Sequence, residues 1–472
     1  MWLMIKNRLA AIALTASVLG SSVLAGSSAY AAETIQGQVT EVRTSTEVIA
    51  EWESWTRDHA NKLDTIQPAD INAGGEQFKD LEMLKPLLKD KRIVFLGESS
   101  HGVSEFNLAK TRLIQFLHQE MGYNVLAFES GLGNASLAYG QSGSQSAEQT
   151  MKNSVFGVWW TQETLPLFEY IKSTQTTEDP LILTGFDMQF QYPHLNGSWL
   201  EDEKLAQRLQ EVEKKMIEYS LGIDLKAYQQ EKAPLIQVYE DVLKAVQTEA
   251  SHAHLMELYP DNPKLPVLLE RTLLNRIDVA KEYVELCINM NIGMAEGEYT
   301  WFLKTMEWRD QVMLDNLMWL ANDVYPKEKF IVWGHNDHVR KAHSEVIGTP
   351  YPVKFMGEML PEEMKEQSYV LGLYPASGTM ADNSGQIYDI LPLQPGSIES
   401  ILSASGSPYT FIDLRYQIKD QGNSWMFEPR YTYSWGTLPE NLIARDQYDG
   451  ILLIDNVTPP EYIRLSSSKA ME

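Results

Sequence analysis

The strongest constraint in the chain is a pair of short apolar runs with a helix-patterned stretch between them. Ile93 to Leu96 (I-V-F-L) is β-branched and aromatic and has the length of a buried strand. Asn124 to Phe128 (N-V-L-A-F) is a second such run. Between them Phe106, Leu113, Phe116 and Leu117 recur at helical spacing from about Glu105 to Glu120, with Ser104 offered as N-cap and Gly122 as the C-terminal stop. Strand, helix and strand within about 37 residues make a βαβ unit, which implies parallel neighbours and a right-handed crossover.

Further apolar runs follow at Leu181–Phe186, Phe330–Trp333, Tyr369–Leu373, Thr410–Leu414 and Ile451–Ile454. They predict an α/β protein with three layers: a mostly parallel central sheet flanked by helices. From about 199 to 325 the strand signals stop. Helical periodicity runs through Leu200–Leu221, Leu225–Glu249, Val267–Met290 and Tyr299–Val324, punctuated by Pro234, Pro260, Pro263 and Pro266. This predicts a large helical insertion set against the sheet. Gly131 to Ser154, rich in Gly, Ser and Gln, reads as a mobile loop or short helices over the strand ends.

The first 31 residues read as a signal peptide. Lys6 and Arg8 make a basic start, Leu9 to Leu24 is apolar and small, and Ala29-Tyr30-Ala31 fits a cleavage site. Residues 32–472 are then one α/β domain carrying the insertion, exported or held in the cell envelope. No later stretch is apolar and long enough to span a bilayer, so after removal of the leader the chain is not an integral membrane protein. The formal charge of −25 argues against nucleic acid as a partner, since phosphate binding needs a basic surface. The single cysteine, Cys287, precludes an internal disulfide and sits in a helical pattern as a small core residue.

Chemistry is expected at the carboxyl ends of the strands, where open α/β sheets place their ligands. There is no G-x-S-x-G elbow, no glycine-rich phosphate loop, no H-E-x-x-H and no C-x-x-C. What the strand ends carry instead is Glu98, His101, Glu129, Asp187, His335, Asp337 and His338. Such a set can hold a zinc or iron ion. It can equally activate water without metal, a neutral imidazole taking the proton while a carboxylate fixes its tautomer and a second imidazole or a cation faces the oxyanion. Residue types alone leave both open, and each carboxylate taken singly also suits an ordinary cap or loop.

The segments G-E-S-S-H-G (Gly97–Gly102), F-E-S (Phe128–Ser130), Gly185-Phe186-Asp187-Met188-Gln189 and W-G-H-N-D-H (Trp333–His338) together resemble the erythromycin esterase family. The resemblance runs in register from about residue 90 to about residue 340 and continues through Tyr374 and Phe411–Arg415. It implies metal-independent hydrolysis of a carboxylic ester or lactone, the family's substrates including macrolide macrolactones, with no cofactor. By motif it implies His101 as the base that activates water, with Glu98 beside it, Glu129 as a second essential carboxylate, and His335 and His338 as the paired histidines of the later loop. Lys110 stands where the resistance enzymes carry arginine, and lysine keeps the charge without the planar fork. Asp187, Trp160 and Tyr374 are the candidates for contacting a small-molecule substrate. A metal-dependent hydrolase or metal-binding protein using the same rim, and a non-catalytic envelope protein that binds a ligand there, are the alternatives.

Overall fold

The computed structural model describes residues 44–71, 75–349 and 351–463. The leader residues Lys6, Arg8 and Leu9–Leu24 and the cleavage motif at Ala29–Ala31 lie outside the described residues. The chain is α/β with a mixed, mostly parallel sheet. Its strands among the described residues are β1 (Asn61–Lys62), β2 (Ile93–Leu96), β3 (Val125–Gly131), β4 (Ile182–Asp187), β5 (Phe330–Trp333), β6 (Ser368–Ala381), β7 (Ile387–Asp389), β8 (Tyr409–Asp413), β9 (Pro429–Ser434), β10 (Leu438–Ile443) and β11 (Gly450–Val457). They fall into two compact units. Among the described residues, one comprises Val125–Gly157 and Ile171–Lys327; the other comprises residues 44–124, Val158–Tyr170 and residues 328–463.

In the second of these units the strand order is β1-β8-β11-β6-β2-β5. β11, β6, β2 and β5 run parallel; at the edge β8 pairs antiparallel with β11, and β1 antiparallel with β8. All four residues of β2 are buried, as a parallel strand covered on both faces requires. β6 is far longer than its apolar run Tyr369–Leu373. Pro375 and Gly378 break the local pattern, yet pairing with β11 carries the strand on through Ile454↔Pro375 and Val457↔Gly378. Gly378 has φ +114 there, and a Cβ at that position would lie 2.1 Å from the Val457 carbonyl oxygen. The far end of β6 pairs with β7, and β9 and β10 form a separate hairpin; none of these three short strands was signalled by an apolar run.

The helix after β2 spans Ser104–Met121 and stops at Gly122 with φ +68, as the sequence predicts. Ser104 is not its cap. Val103 occupies that position without a side-chain bond, while the Ser104 N–H donates to the Thr458 carbonyl and the Glu105 carboxylate accepts from Thr458. The chain leaving β11 thus satisfies the helix start in place of a local cap.

In the other unit β3 and β4 pair in parallel, with a register shift between Phe128 and Gly131. Gly131–Ser154 folds largely as two helices, Leu132–Tyr139 and Ala147–Ser154, the latter capped by the Ser146 hydroxyl. The expected insertion is helical throughout, with helices Glu203–Leu221, Leu225–Val246, Glu249–Leu258, Leu265–Asp278, Val284–Ala295 and Thr300–Trp319. Pro234 does not end its helix. It lies inside Leu225–Val246, where Tyr228, Leu235, Val238, Tyr239 and Val242 are buried along one face, so packing overrides the proline. Cys287 is part of that core, and burial pushes its thiol up to about 12.

The β9–β10 hairpin is fastened by a fully buried carboxyl. Glu399 Oε1 accepts from the Thr432 hydroxyl at 2.6 Å and from the Tyr433 N–H at 2.8 Å. Burial raises this carboxyl from 4.5 to about 7. Stability from the group is therefore full below its unfolded value and is lost as pH rises through about 7. Glu399→Gln retains an acceptor for both donors and removes that loss. Thermal melts at about pH 5 and about pH 8.5 should show a smaller drop in the variant than in the wild type.

Candidate functional site

The turn after β2 is bound by its backbone on three sides. The Gly97 and Ser99 N–H groups donate to Leu371 and Leu373 of β6, the Asn336 N–H donates to the Glu98 carbonyl, and the Trp435 N–H donates to the Ser99 carbonyl. The approach is close enough to require glycine. A Cβ on Gly97 would lie 2.1 Å from Asn336 Oδ1, and one on Gly102 would lie 1.9 Å from the Ala381 carbonyl oxygen. A rigid frame of this kind delivers Glu98 and His101 with little freedom.

Glu98 has no exposed surface. His101 Nδ1 lies 2.7 Å from its Oε1, the Trp159 indole N–H donates to the same oxygen at 3.1 Å, and Lys110 Nζ donates to Oε2 at 2.8 Å. Burial pushes the carboxyl up, but the Lys110 ammonium and the His101 contact outweigh it and hold Glu98 below the usual carboxylate range. Lys110 is itself fully buried. It also reaches the Gly334 carbonyl at 3.3 Å and lies 4.3 Å from the centre of the Trp333 ring, which suits a compact ammonium.

With Glu98 ionised, His101 Nδ1 carries the proton and donates it to the carboxylate, leaving Nε2 as an acceptor. The His101 ring meets Trp159 edge-on at 4.8 Å, His335 at 5.2 Å and Trp435 at 5.6 Å. His335 follows β5 at the head of a short helical turn, where its Nδ1 accepts the Asp337 N–H at 3.1 Å. The two imidazoles thus stand side by side, ring centres 5.2 Å apart, each held from behind by a carboxylate.

Behind His335 lies a buried ionic chain. Asp337 Oδ2 is 3.3 Å from His335 Nδ1, Arg340 Nη2 is 2.8 Å from Asp337 Oδ1, and the Arg340 guanidinium makes two bonds to Glu440. Burial raises the Asp337 carboxyl, but His335 and Arg340 hold it well below the usual range. Ligand atoms of Asp337, His343 and Glu440 lie within 4.8 Å of one another, a spacing a metal ion could use. The Arg340 cation is already paired with both of those carboxylates. Burial, reinforced by Arg340, pushes the His343 imidazole down to about 3.

Of the other expected residues, His338 packs its ring against Phe355 at 5.2 Å, the same ring that His343 meets at 4.4 Å. Trp160 is buried, and its carbonyl accepts the Ile463 N–H; the neighbouring Trp159 is the tryptophan bound to Glu98. Tyr374 is buried and its hydroxyl is bonded to that of Tyr448 at 2.8 Å, which makes it a core side chain rather than a substrate contact. In the other unit Glu129 and Asp187 share the buried Arg309, whose Nη2 lies 3.1 Å from Glu129 Oε1 and 2.6 Å from Asp187 Oδ2. Asp187 Oδ1 accepts the N–H groups of Met188 and Gln189, so the expected substrate contact is a buried anchor with its oxygens engaged.

Sequence reasoning missed Trp159, Arg309, Arg340, Glu440 and Trp435. The doublet Trp159-Trp160 held a signal but no means of choosing between its members. Arg309 looks like an ordinary charged residue of a long helix.

Residues 118–457 match the erythromycin esterase family profile. A Bacillus subtilis (strain 168) protein, YbfO, provisionally assigned as a hydrolase, is 35% identical over 431 residues, spanning 88% of this chain and 92% of the relative. An Escherichia coli protein named erythromycin esterase type II is 21% identical over 370 residues, spanning 74% of this chain and 86% of its own. A solved structure of a mutant of the erythromycin esterase EreC in its open conformation superposes with a TM-score of 0.56 at 16% identity, covering 86% of this chain and 99% of that one.

Removing the cation beside Glu98 should be costly. Lys110→Met leaves a buried charge uncompensated and is expected to cost about 3–5 kcal/mol in denaturant unfolding. Glu98→Gln added to it should recover part of the loss, and the double-mutant cycle measures the coupling.

Proposed function

The chain belongs to the erythromycin esterase family and is a hydrolase acting on esters; from that premise we propose that it cleaves a carboxylic ester or lactone with water activated at His101 and without a metal ion. The observation that carries this reading is the 2.7 Å contact between His101 Nδ1 and a fully buried Glu98 held in its ionised form. His101 Nε2 takes a proton from water as the oxygen attacks the carbonyl carbon. Glu98 stabilises the imidazolium that forms, while Lys110 and the Trp159 indole fix Glu98. His335 Nε2–H is the donor for the oxyanion of the tetrahedral intermediate. Collapse breaks the bond to the alcohol oxygen, which leaves with the proton from His101. One water is consumed, and an acid and an alcohol are released. His338, packed on Phe355, supports the loop that carries His335.

A macrolactone is the substrate we favour, on the strength of the name borne by the Escherichia coli relative. Export is proposed on the leader sequence, with its basic start and the apolar run Leu9–Leu24.

Purified protein incubated with erythromycin should yield a ring-opened product heavier by one water in mass spectrometry, and incubated with p-nitrophenyl butyrate it should release p-nitrophenol and butyrate. His101→Asn should lower kcat about 10²–10⁴-fold with the fold intact by circular dichroism. Full activity in that variant would remove the base from the mechanism. EDTA should leave the rate unchanged; loss to chelator with recovery on adding zinc would favour the metal alternative.

A further inference from the structure

The β9–β10 hairpin turns through Trp435 and Gly436, with φ +53 and +62, and the Thr437 N–H closes the turn on the Ser434 carbonyl at 3.3 Å. Such turns favour asparagine or glycine at both central positions, because a Cβ crowds the backbone when φ is positive. A tryptophan there is a true outlier, and among the described residues it is the one non-glycine residue with positive φ. Strain of this kind persists where surrounding contacts over-determine it, and it concentrates at functional sites.

The backbone N–H and the ring of Trp435 lead to the histidines, and the remaining contacts hold the hairpin tip in place. The Trp435 N–H donates to the Ser99 carbonyl, inside the turn that carries Glu98 and His101. Its carbonyl accepts from the Tyr388 hydroxyl at 3.2 Å and the Thr437 hydroxyl at 3.3 Å. Its strand is tied down through Thr432 and Tyr433 to Glu399. The indole then lies flat on His335, with centroids 4.8 Å apart and planes 22° from parallel, and stands perpendicular to His101 at 5.6 Å. It is 9% exposed, and its Nε1 is buried without a hydrogen-bond partner, so no polar anchor explains why tryptophan occupies the place. The flat face on the imidazole does.

We infer that Trp435 is a positioning residue: its ring clamps the plane of His335 and bounds that of His101, so the donor and the base keep their relative placement through turnover. The inference rests on the hydrolytic reading for its catalytic consequence, but the clamp is a property of the rings and is measurable apart from activity.

The test compares Trp435→Phe, which keeps a flat face, with Trp435→Leu, which keeps apolar bulk without one. In the first arm, NMR relaxation of ¹³C-labelled histidine rings follows the order of the His335 and His101 imidazoles in the full-length protein. Trp435→Phe should match the wild type, and Trp435→Leu should show lower ring order at His335. Unchanged ring order in folded Trp435→Leu overturns the clamp, whatever the activity. In the second arm, p-nitrophenyl butyrate kinetics should show kcat falling about 10- to 100-fold in Trp435→Leu with KM nearly constant, a displaced pH profile, and recovery in Trp435→Phe. A lowered melting temperature with an unchanged kcat and pH profile in Trp435→Leu would make the ring mere packing and overturn the inference. If the wild type hydrolyses no ester, the proposed function fails while the NMR arm still decides the clamp. If Trp435→Leu does not fold, Trp435→Met in the same two arms takes its place.

Discussion

A carboxylate with no exposed surface holds the centre of this molecule in its working state. Taking a charge such as that of Glu98 out of water costs several kcal/mol unless every lone pair finds a donor. Here His101, Trp159 and Lys110 supply those donors, and Lys110 supplies the opposite charge. The same contacts have a chemical consequence. An ionised Glu98 directs the proton of His101 to Nδ1, so the nitrogen left for chemistry is Nε2. Electrostatic satisfaction of a buried acid and activation of a base are one arrangement seen from two sides.

The frame around that acid is made of backbone. β6, the turn after β5 and the tip of the β9–β10 hairpin each donate or accept along Gly97–Gly102, and two glycines allow them to come close. Only because these segments are mutually bonded can His101 and His335 be held side by side at a fixed spacing. Asp337, Arg340 and Glu440 extend the same logic outward: each buried ion is answered by the next, ending at a carboxylate that is partly exposed.

The unit that holds β3 and β4 repeats the pattern with different residues. Glu129 and Asp187 stand at strand ends and share one guanidinium, Arg309, from a helix 180 and 122 positions further along. Arginine suits the task because its planar fork binds two carboxylates at once and never loses its charge. Asp187 is the residue whose expectation changed most. Its place at a strand end suggested a ligand contact, whereas its oxygens are committed to Arg309 and to two backbone N–H groups.

Much of this was readable locally. The period of the apolar residues marks β2, the helix that follows and the helical stretch beyond 199, because burial on one face leaves a repeat of two or 3.6 in any chain. The polar residues that end each strand were visible for the same reason: apolar runs make their boundaries conspicuous. Where Pro375 interrupts the pattern, the local reading ended the strand too early, since pairing with β11 outweighs the propensity of one residue. By itself the sequence determined which chemical groups stand at the strand ends. Tertiary structure alone decided which of them are neutralised and which are left to act. Trp159 reaches Glu98 across 61 positions and Trp435 reaches the histidines from a hairpin with no apolar signature. Local periodicity carries no record of such pairings, because they arise only when the whole chain has packed.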